Sequence, residues 1–117
     1  MPQSENKADS KWKRRFERYA LDLKLTVHVF RAGERVSFWG RSNEIGQDGI
    51  GATLTGTLES GEVVAMELSL PLGVYPTKFR ALVRYRDGLR HGFEFLALTA
   101  QQRDEIRRVC EMLASAM

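Results

Sequence analysis

Leu21-Asp22-Leu23-Lys24-Leu25-Thr26-Val27-His28-Val29 is the stretch of sequence that decides the fold. Apolar and polar residues alternate along it without a break. A period of two places all the apolar side chains on one face of a β-strand and all the polar ones on the other. The stretch therefore predicts a strand with one buried face.

Five further segments downstream have the same kind of signal and are separated by turn residues. They are residues 35–39, a strand with buried positions Ile50, Ala52 and Leu54, residues 63–70, residues 79–86 and residues 89–95. Proline cannot donate to a strand ladder, so Pro71 ends the fourth strand, and Asp87-Gly88 favours a tight hairpin turn between the last two. Six strands with short connections and no helix between them predict a mainly β fold, a six-stranded antiparallel β-barrel that closes its own edges.

The C-terminal segment has a different period. Thr99 and Gln102 have the spacing of a capping box, and the apolar residues that follow recur at helical intervals on one face, namely Ile106, Val109, Cys110 and Leu113. This pattern predicts an α-helix over residues 99–115 that packs on the barrel. Cys110 lies on the apolar face, where a cysteine is usually buried packing rather than a reactive thiol.

The chain of 117 residues has the length of one small domain. We expect a flexible tail over residues 1–10 and a single domain over residues 11–117, divided into a basic N-terminal arm (11–19), the barrel (20–97) and the helix (99–115). One cysteine excludes an internal disulfide, and two histidines provide no cluster of metal ligands, so no metal or other cofactor is expected. The chain has neither the apolar core of a signal peptide nor an apolar run of about 18 residues. We therefore expect a cytoplasmic protein that does not insert into a membrane.

The positive charge of the chain is concentrated at its start. Residues 1–19 hold six basic side chains and three acidic ones, whereas the rest of the chain holds twelve of each sign. A long nucleic acid requires a basic surface that follows many phosphates, while a single basic segment better suits a compact anion. A solvated basic segment without a ligand is the alternative interpretation of this charge.

Arg14-Arg15-Phe16-Glu17-Arg18 places three guanidinium groups on this segment, and Glu44-Ile45-Gly46-Gln47-Asp48-Gly49 forms a glycine-bearing loop about 25 residues later. A guanidinium group grips phosphate with two parallel hydrogen bonds and also stacks on flat rings. The two segments together favour a small ligand that contains both phosphates and bases.

An Arg-x-x-x-Arg pair before the first strand, the later glycine motif, the Gly92-Phe93-Glu94-Phe95 strand and the closing helix together resemble the PilZ domain family, over about residues 13–113. The resemblance implies a six-stranded barrel that binds the bacterial second messenger cyclic di-GMP. Family members use the arginine pair and a later Asp/Asn-x-Ser-x-x-Gly motif. The positions that match these motifs, and the ligand residues that the resemblance implies, are Arg14, Arg15, Arg18, Glu44, Gly46 and Gly49.

The second motif departs from the family pattern at two positions. Glu44 stands in place of Asp or Asn, but it keeps the ability to accept hydrogen bonds from guanine N1 and N2. Gly46 stands in place of Ser, and the missing hydroxyl costs about 0.5–1.5 kcal/mol for one neutral hydrogen bond. Each arginine contact to a phosphate contributes about 1.5–3 kcal/mol, so the retained arginines outweigh the missing serine. Ser42 and Asn43 are the nearest residues that could provide a replacement polar group.

Cyclic di-GMP binding, with ordering of the arm as the signal to a downstream protein partner, is thus the function that the resemblance implies. A PilZ-like interaction adaptor that no longer binds the nucleotide is the alternative, with exposed groups such as Trp12 and Trp39 as its contact patch. A small nucleic-acid-binding barrel is suggested by the pI near 9.3 but opposed by the neutral body of the chain. No Ser/His/Asp or Cys/His set at usable spacing indicates an enzyme, and His91 is expected at an exposed hairpin position.

Overall fold

The computed structural model of the chain describes residues 16–73 and 75–116. These residues form seven strands and one long helix. The elements are β1 (Tyr19–Ala20), β2 (Lys24–Arg31), β3 (Glu34–Ile45), β4 (Gly49–Leu54), β5 (Val63–Leu68), β6 (Thr77–Asp87), β7 (Arg90–Leu96) and α1 (Ala100–Ser115).

Six of the strands form a closed ring. They pair in the order β3, β2, β5, β6, β7 and β4, every pairing is antiparallel, and β3 also pairs with β4. The prediction of a six-stranded antiparallel barrel with a C-terminal helix is therefore confirmed. The short β1 is an additional strand outside the ring, which pairs Tyr19 with Ile45 and Ala20 with Glu44 of β3.

The first barrel strand begins at Lys24, later than the alternating pattern predicts, and the segment before it is bonded to a buried serine. Ser42 of β3 has its side chain in the gap between β1 and β2. Its Oγ accepts a hydrogen bond from Leu23 N at 2.8 Å, and its hydroxyl donates to the carbonyl oxygen of Leu21. Residues 21–23 therefore lie outside the regular ladder even though Leu21 and Leu23 still pack against the core.

The barrel interior is filled by the alternating apolar side chains of all six barrel strands, and α1 covers part of it. Ile106, Val109 and Cys110 of α1 are buried, as the helical pattern predicts. Both hydrogen bonds of the capping box are present: Gln102 N donates to Thr99 Oγ1, and Thr99 N donates to Gln102 Oε1, each at 3.0 Å. The cap fixes where the helix begins and hence which of its faces meets the barrel.

His91 corrects the expectation of an exposed hairpin position, since its relative exposure is 0%. Its Nε2 accepts from Leu58 N at 2.9 Å, so the ring carries its proton on Nδ1, which donates to Leu89 O at 2.8 Å. Burial lowers the pKa of this imidazole. His91 is thus a structural residue that ties the connection between β4 and β5 to the β6–β7 hairpin.

Within residues 16–73 and 75–116, no helix combines the length and apolar character needed to cross a membrane. Over the same residues, the histidine, cysteine, aspartate and glutamate side chains form no group of three that could hold a metal ion.

Candidate functional site

The β3–β4 turn is the centre of the candidate site. The sequence predicted a longer loop here, but β3 continues to Ile45, so the connection consists only of residues 46–48. Gly46 N donates to Gly49 O at 2.9 Å, and Asp48 O accepts from Phe95 N at 2.9 Å. The turn is therefore fastened both across its own hairpin and to β7.

Arg18 lies directly over this turn, and only 8% of its side chain is exposed. Its Nη1 is 3.6 Å from Glu44 Oε2, and its Nη2 is 3.5 Å from Asp48 Oδ1. Both carboxylates are largely shielded from water, which strengthens their attraction to the guanidinium group compared with a surface ion pair. The last residue of the basic segment is thereby fixed to the barrel.

Two glycines of the turn make room for this arginine. A Cβ atom built on Gly46 would lie 2.8 Å from Arg18 Cδ and 2.9 Å from Arg18 Nε. A Cβ atom on Gly49 would lie 3.2 Å from Arg18 Nη2 and only 2.2 Å from the carbonyl oxygen of Phe93. Any larger residue at either position would displace Arg18 or the neighbouring strand.

Glu44 is positioned by β3 rather than by a loop. It is paired with Gly51 of β4, and a Cβ atom on Gly51 would approach Glu44 Cγ to 3.2 Å. The side chain therefore lies over a strand position that has no side chain of its own. This arrangement holds the Glu44 carboxylate beside the Arg18 guanidinium group.

The helix α1 contacts β1 and brings Cys110 near the same charges. Burial raises the pKa of the Cys110 thiol to about 11, and the positive charge of Arg18 opposes that shift only in part. The thiol is therefore protonated at neutral pH.

The structure brings together Arg18, Glu44, Gly46 and Gly49 of the residues predicted for the site, while Arg14 and Arg15 lie outside the described residues. Asp48 is an additional member, which the sequence showed as part of the loop without indicating a role. The sequence signal that could have identified Asp48 is its position between Gly46 and Gly49.

Neither Ser42 nor Asn43 replaces the missing serine hydroxyl, because the polar group of each is hydrogen-bonded elsewhere. The Ser42 hydroxyl bonds to the 21–23 segment, as described above. Asn43 Oδ1 accepts a hydrogen bond from Thr53 Oγ1 of β4 at 3.3 Å. The space beside Gly46 is occupied by Arg18 instead.

The chain matches a known protein family. The family model described as the PilZ domain matches residues 13–112. A search of the curated proteins gave no match.

Three solved structures illustrate the likeness. The PilZ domain of YcgR from Escherichia coli, solved with c-di-GMP, is 20% identical with a TM-score of 0.66, and the match covers 89% of this chain and 93% of that domain. The PilZ domain of CeSA from a cellulose-synthesizing bacterium is 14% identical with a TM-score of 0.62, covering 86% and 97%. YcgR from Escherichia coli in complex with c-di-GMP is 19% identical with a TM-score of 0.69, covering 89% of this chain and 47% of that one.

At these identities the structural likeness shows the fold, and the match of the family model over residues 13–112 shows the family. The barrel, its closing helix and the glycine turn beneath Arg18 are the features of a chain that belongs to the PilZ domain family.

Proposed function

We propose that this chain is a receptor for cyclic di-GMP and that the ligand binds over the β3–β4 turn through Arg14, Arg15, Arg18, Glu44, Gly46 and Gly49. The observation that carries the proposal is the seating of Arg18 on Gly46 and Gly49 beside Glu44. Solved PilZ domains with the same fold hold c-di-GMP, which supports this ligand.

The charges at the turn indicate that the three arginines have different roles in binding the ligand. Glu44 and Asp48 already neutralise much of the Arg18 charge, so a phosphate gains less from this guanidinium group than from one in water. We assign to Arg18 the fixing of the arm at the turn, because its side chain is buried between the two carboxylates and the glycines. The main phosphate contacts belong to Arg14 and Arg15, which precede it in the chain.

Glu44 recognises the base in this arrangement. A carboxylate has about four lone-pair sites, so Glu44 can keep its contact with Arg18 and still accept hydrogen bonds from guanine N1 and N2. Adenine has no donor at the equivalent ring nitrogen and lacks the N2 amino group. The site should therefore prefer guanine over adenine dinucleotides.

The signal is an ordering of the arm. Contacts between the phosphates and Arg14 and Arg15 would hold the segment before Arg18 against the barrel, which changes the surface that the protein offers to a partner. A protein of this kind is a regulatory binding module rather than an enzyme, and its output depends on a separate downstream protein.

Isothermal titration of the purified chain with cyclic di-GMP, at two salt concentrations and with GTP as a control, tests the proposal. We expect saturable binding that weakens with salt and that discriminates against GTP. The variant Arg14→Ala/Arg15→Ala should bind at least about 100-fold more weakly, because two charge-assisted contacts are lost. The matched control Arg90→Ala/Arg103→Ala removes the same charge away from the turn and should bind as the wild type does.

The possible outcomes separate the two functions considered for the chain. An unchanged affinity in Arg14→Ala/Arg15→Ala would refute the arginine assignment. Absence of binding by folded wild-type protein would refute the receptor and leave the interaction adaptor. Equal affinity for cyclic di-AMP would refute the role of Glu44.

A further inference from the structure

The outer face of β2, β5 and β6 has an excess of positive charge that the net charge of residues 20–117 does not show. Residues 20–117 carry twelve basic and twelve acidic side chains, so the body is neutral in sum. On this face, however, Arg35, Lys78 and Arg80 line one groove, and among the described residues that line it Glu67 is the only acidic one. The neutral body is thus polarised, with a local excess of positive charge far from the basic arm in sequence.

The groove itself has an apolar floor. It has a volume of about 550 Å³, and Ala65 lies at its centre between His28 of β2 and Arg80 of β6 in the strand register. Phe30 and Val63 stand at one end with 74% and 42% of their surface exposed. Small residues in the middle and large apolar ones at the rim give a depression that fits one bulky side chain.

The basic side chains of the groove are available to a ligand. In the described part of the chain, no carboxylate lies within ion-pairing distance of Lys78 or Arg80. Arg35 is held in place, because its Nη2 donates to His28 Nε2 at 3.0 Å and His28 Nδ1 in turn donates to Ser37 Oγ at 2.7 Å. Glu67 Oε1 lies 4.0 Å from the same His28 Nε2.

We propose that this outer groove binds an acidic segment of a partner protein, with an apolar side chain over Ala65 and carboxylates on Arg35, Lys78 and Arg80. Charge complementarity selects this occupant over the chain's own basic arm, residues 11–19, which holds five basic side chains and one acidic one and would be repelled. A nucleic acid fits less well, because three cations offer few phosphate contacts and an apolar floor offers nothing to a sugar-phosphate backbone. Exposed apolar groups rimmed by polar ones are typical of protein contact sites.

The groove is separate from the β3–β4 turn, since β2, β5 and β6 form another part of the barrel wall. A partner segment and a ligand at the turn can therefore be bound at the same time. The inference does not depend on cyclic di-GMP binding, and the two proposals fail independently.

Selection of short random peptides displayed on phage against the full, immobilised chain tests the proposal without assuming a partner. We expect enrichment of peptides with aspartate or glutamate around one leucine, phenylalanine or tryptophan. Synthetic copies should bind in solution, and their affinity should fall as salt is raised.

Two variants locate the binding. Lys78→Glu/Arg80→Glu should weaken the selected peptides about tenfold or more, whereas Arg90→Glu/Arg103→Glu makes the same change of charge elsewhere and should not. Ala65→Phe fills the floor without changing charge and should also abolish binding. The far-ultraviolet circular dichroism and unfolding midpoint of each variant verify that it is folded.

Failure to enrich acidic sequences, or selected peptides that bind Lys78→Glu/Arg80→Glu as they bind the wild type, would overturn the proposal. Two further measurements identify the competing occupants. Single-stranded oligonucleotide binding that Lys78→Glu/Arg80→Glu removes, without acidic peptide binding, would show a nucleic-acid surface. Concentration-dependent dimerisation in sedimentation equilibrium that the same variant removes would show a second copy of the chain.

Discussion

Replacing Gly46 with alanine should destabilise the protein only while Arg18 is present. The new Cβ atom would lie 2.8 Å from Arg18 Cδ, about 0.7 Å inside the 3.5 Å separation at which carbon atoms pack well. Forcing one methyl group into such a site costs about 1–3 kcal/mol. The smaller entropy of the unfolded alanine chain offsets about 0.4–1 kcal/mol of this. We therefore expect Gly46→Ala to lower the free energy of unfolding by about 1–2 kcal/mol.

A double-mutant cycle measured by urea unfolding isolates the contact. In the Arg18→Ala background, the two nearest contacts of the new Cβ atom are gone and the carbonyl oxygen of Glu17, at 3.0 Å, is the third, so Gly46→Ala should cost much less. The coupling energy should be about 1–2 kcal/mol, above the 0.3–0.5 kcal/mol scatter of independent sites. With a slope of about 1.5 kcal/mol per molar urea, the midpoints differ by about 1 M.

An equal cost of Gly46→Ala in the wild-type and Arg18→Ala backgrounds would refute the seating of Arg18 on the turn. Arg90→Ala is the control background, because this exposed arginine lies away from the turn and should leave the full cost in place. The same steric argument applies to serine, the residue that the family motif has here. Gly46→Ser should therefore destabilise the protein rather than simply restore a missing hydrogen bond.

Three further predictions concern residues in the barrel and helix. Ser42→Ala should lower the free energy of unfolding by about 1–3 kcal/mol, since two part-buried backbone groups lose their partner. The exposed Ser37→Ala should cost far less, and equal urea midpoints for the two variants would contradict this. The pKa of His91 is lowered in the folded state, so its contribution to stability is complete above the ordinary value of 6.5 and is lost as the pH falls below it. His91→Gln should therefore reduce the acid sensitivity of the urea midpoint. An unaltered pH dependence in this variant would refute the assignment. Cys110, with a pKa of about 11, should react with iodoacetamide at about pH 8 far more slowly in the native protein than in urea, and rapid native labelling would show that the thiol is accessible.

The barrel was predictable because its strands alternate between apolar and polar residues, and that period depends only on which face is buried. The residues at which strands begin and end were less predictable where a side chain replaces the backbone as a hydrogen-bonding partner. Ser42 ends the regular ladder at residues 21–23 through its hydroxyl, and a serine in a strand gives no signal for this in the sequence. The same reason explains why β1 appears as a separate piece.

The proximity of several candidate site residues was predictable, but their contacts were not. The family resemblance grouped Arg18, Glu44 and the two glycines as ligand residues, and the structure fills the space beside both glycines with Arg18. The position of Asp48 and the burial of His91 depend on tertiary neighbours that are 30 or more residues away in the chain, such as Leu58 for His91. No local pattern encodes such contacts.

The closure of the ring determines when this protein can complete its fold during synthesis. β4 pairs with β3 along one edge. Its other edge stays unpaired until β7 is synthesised, and β7 begins about 40 residues later. Until the ribosome has released residues 90–96, β4 and β6 both present open strand edges, which are templates for association with other chains. The nascent barrel is therefore exposed to aggregation for most of its translation, and its protection comes only with the last strand and the helix that follows.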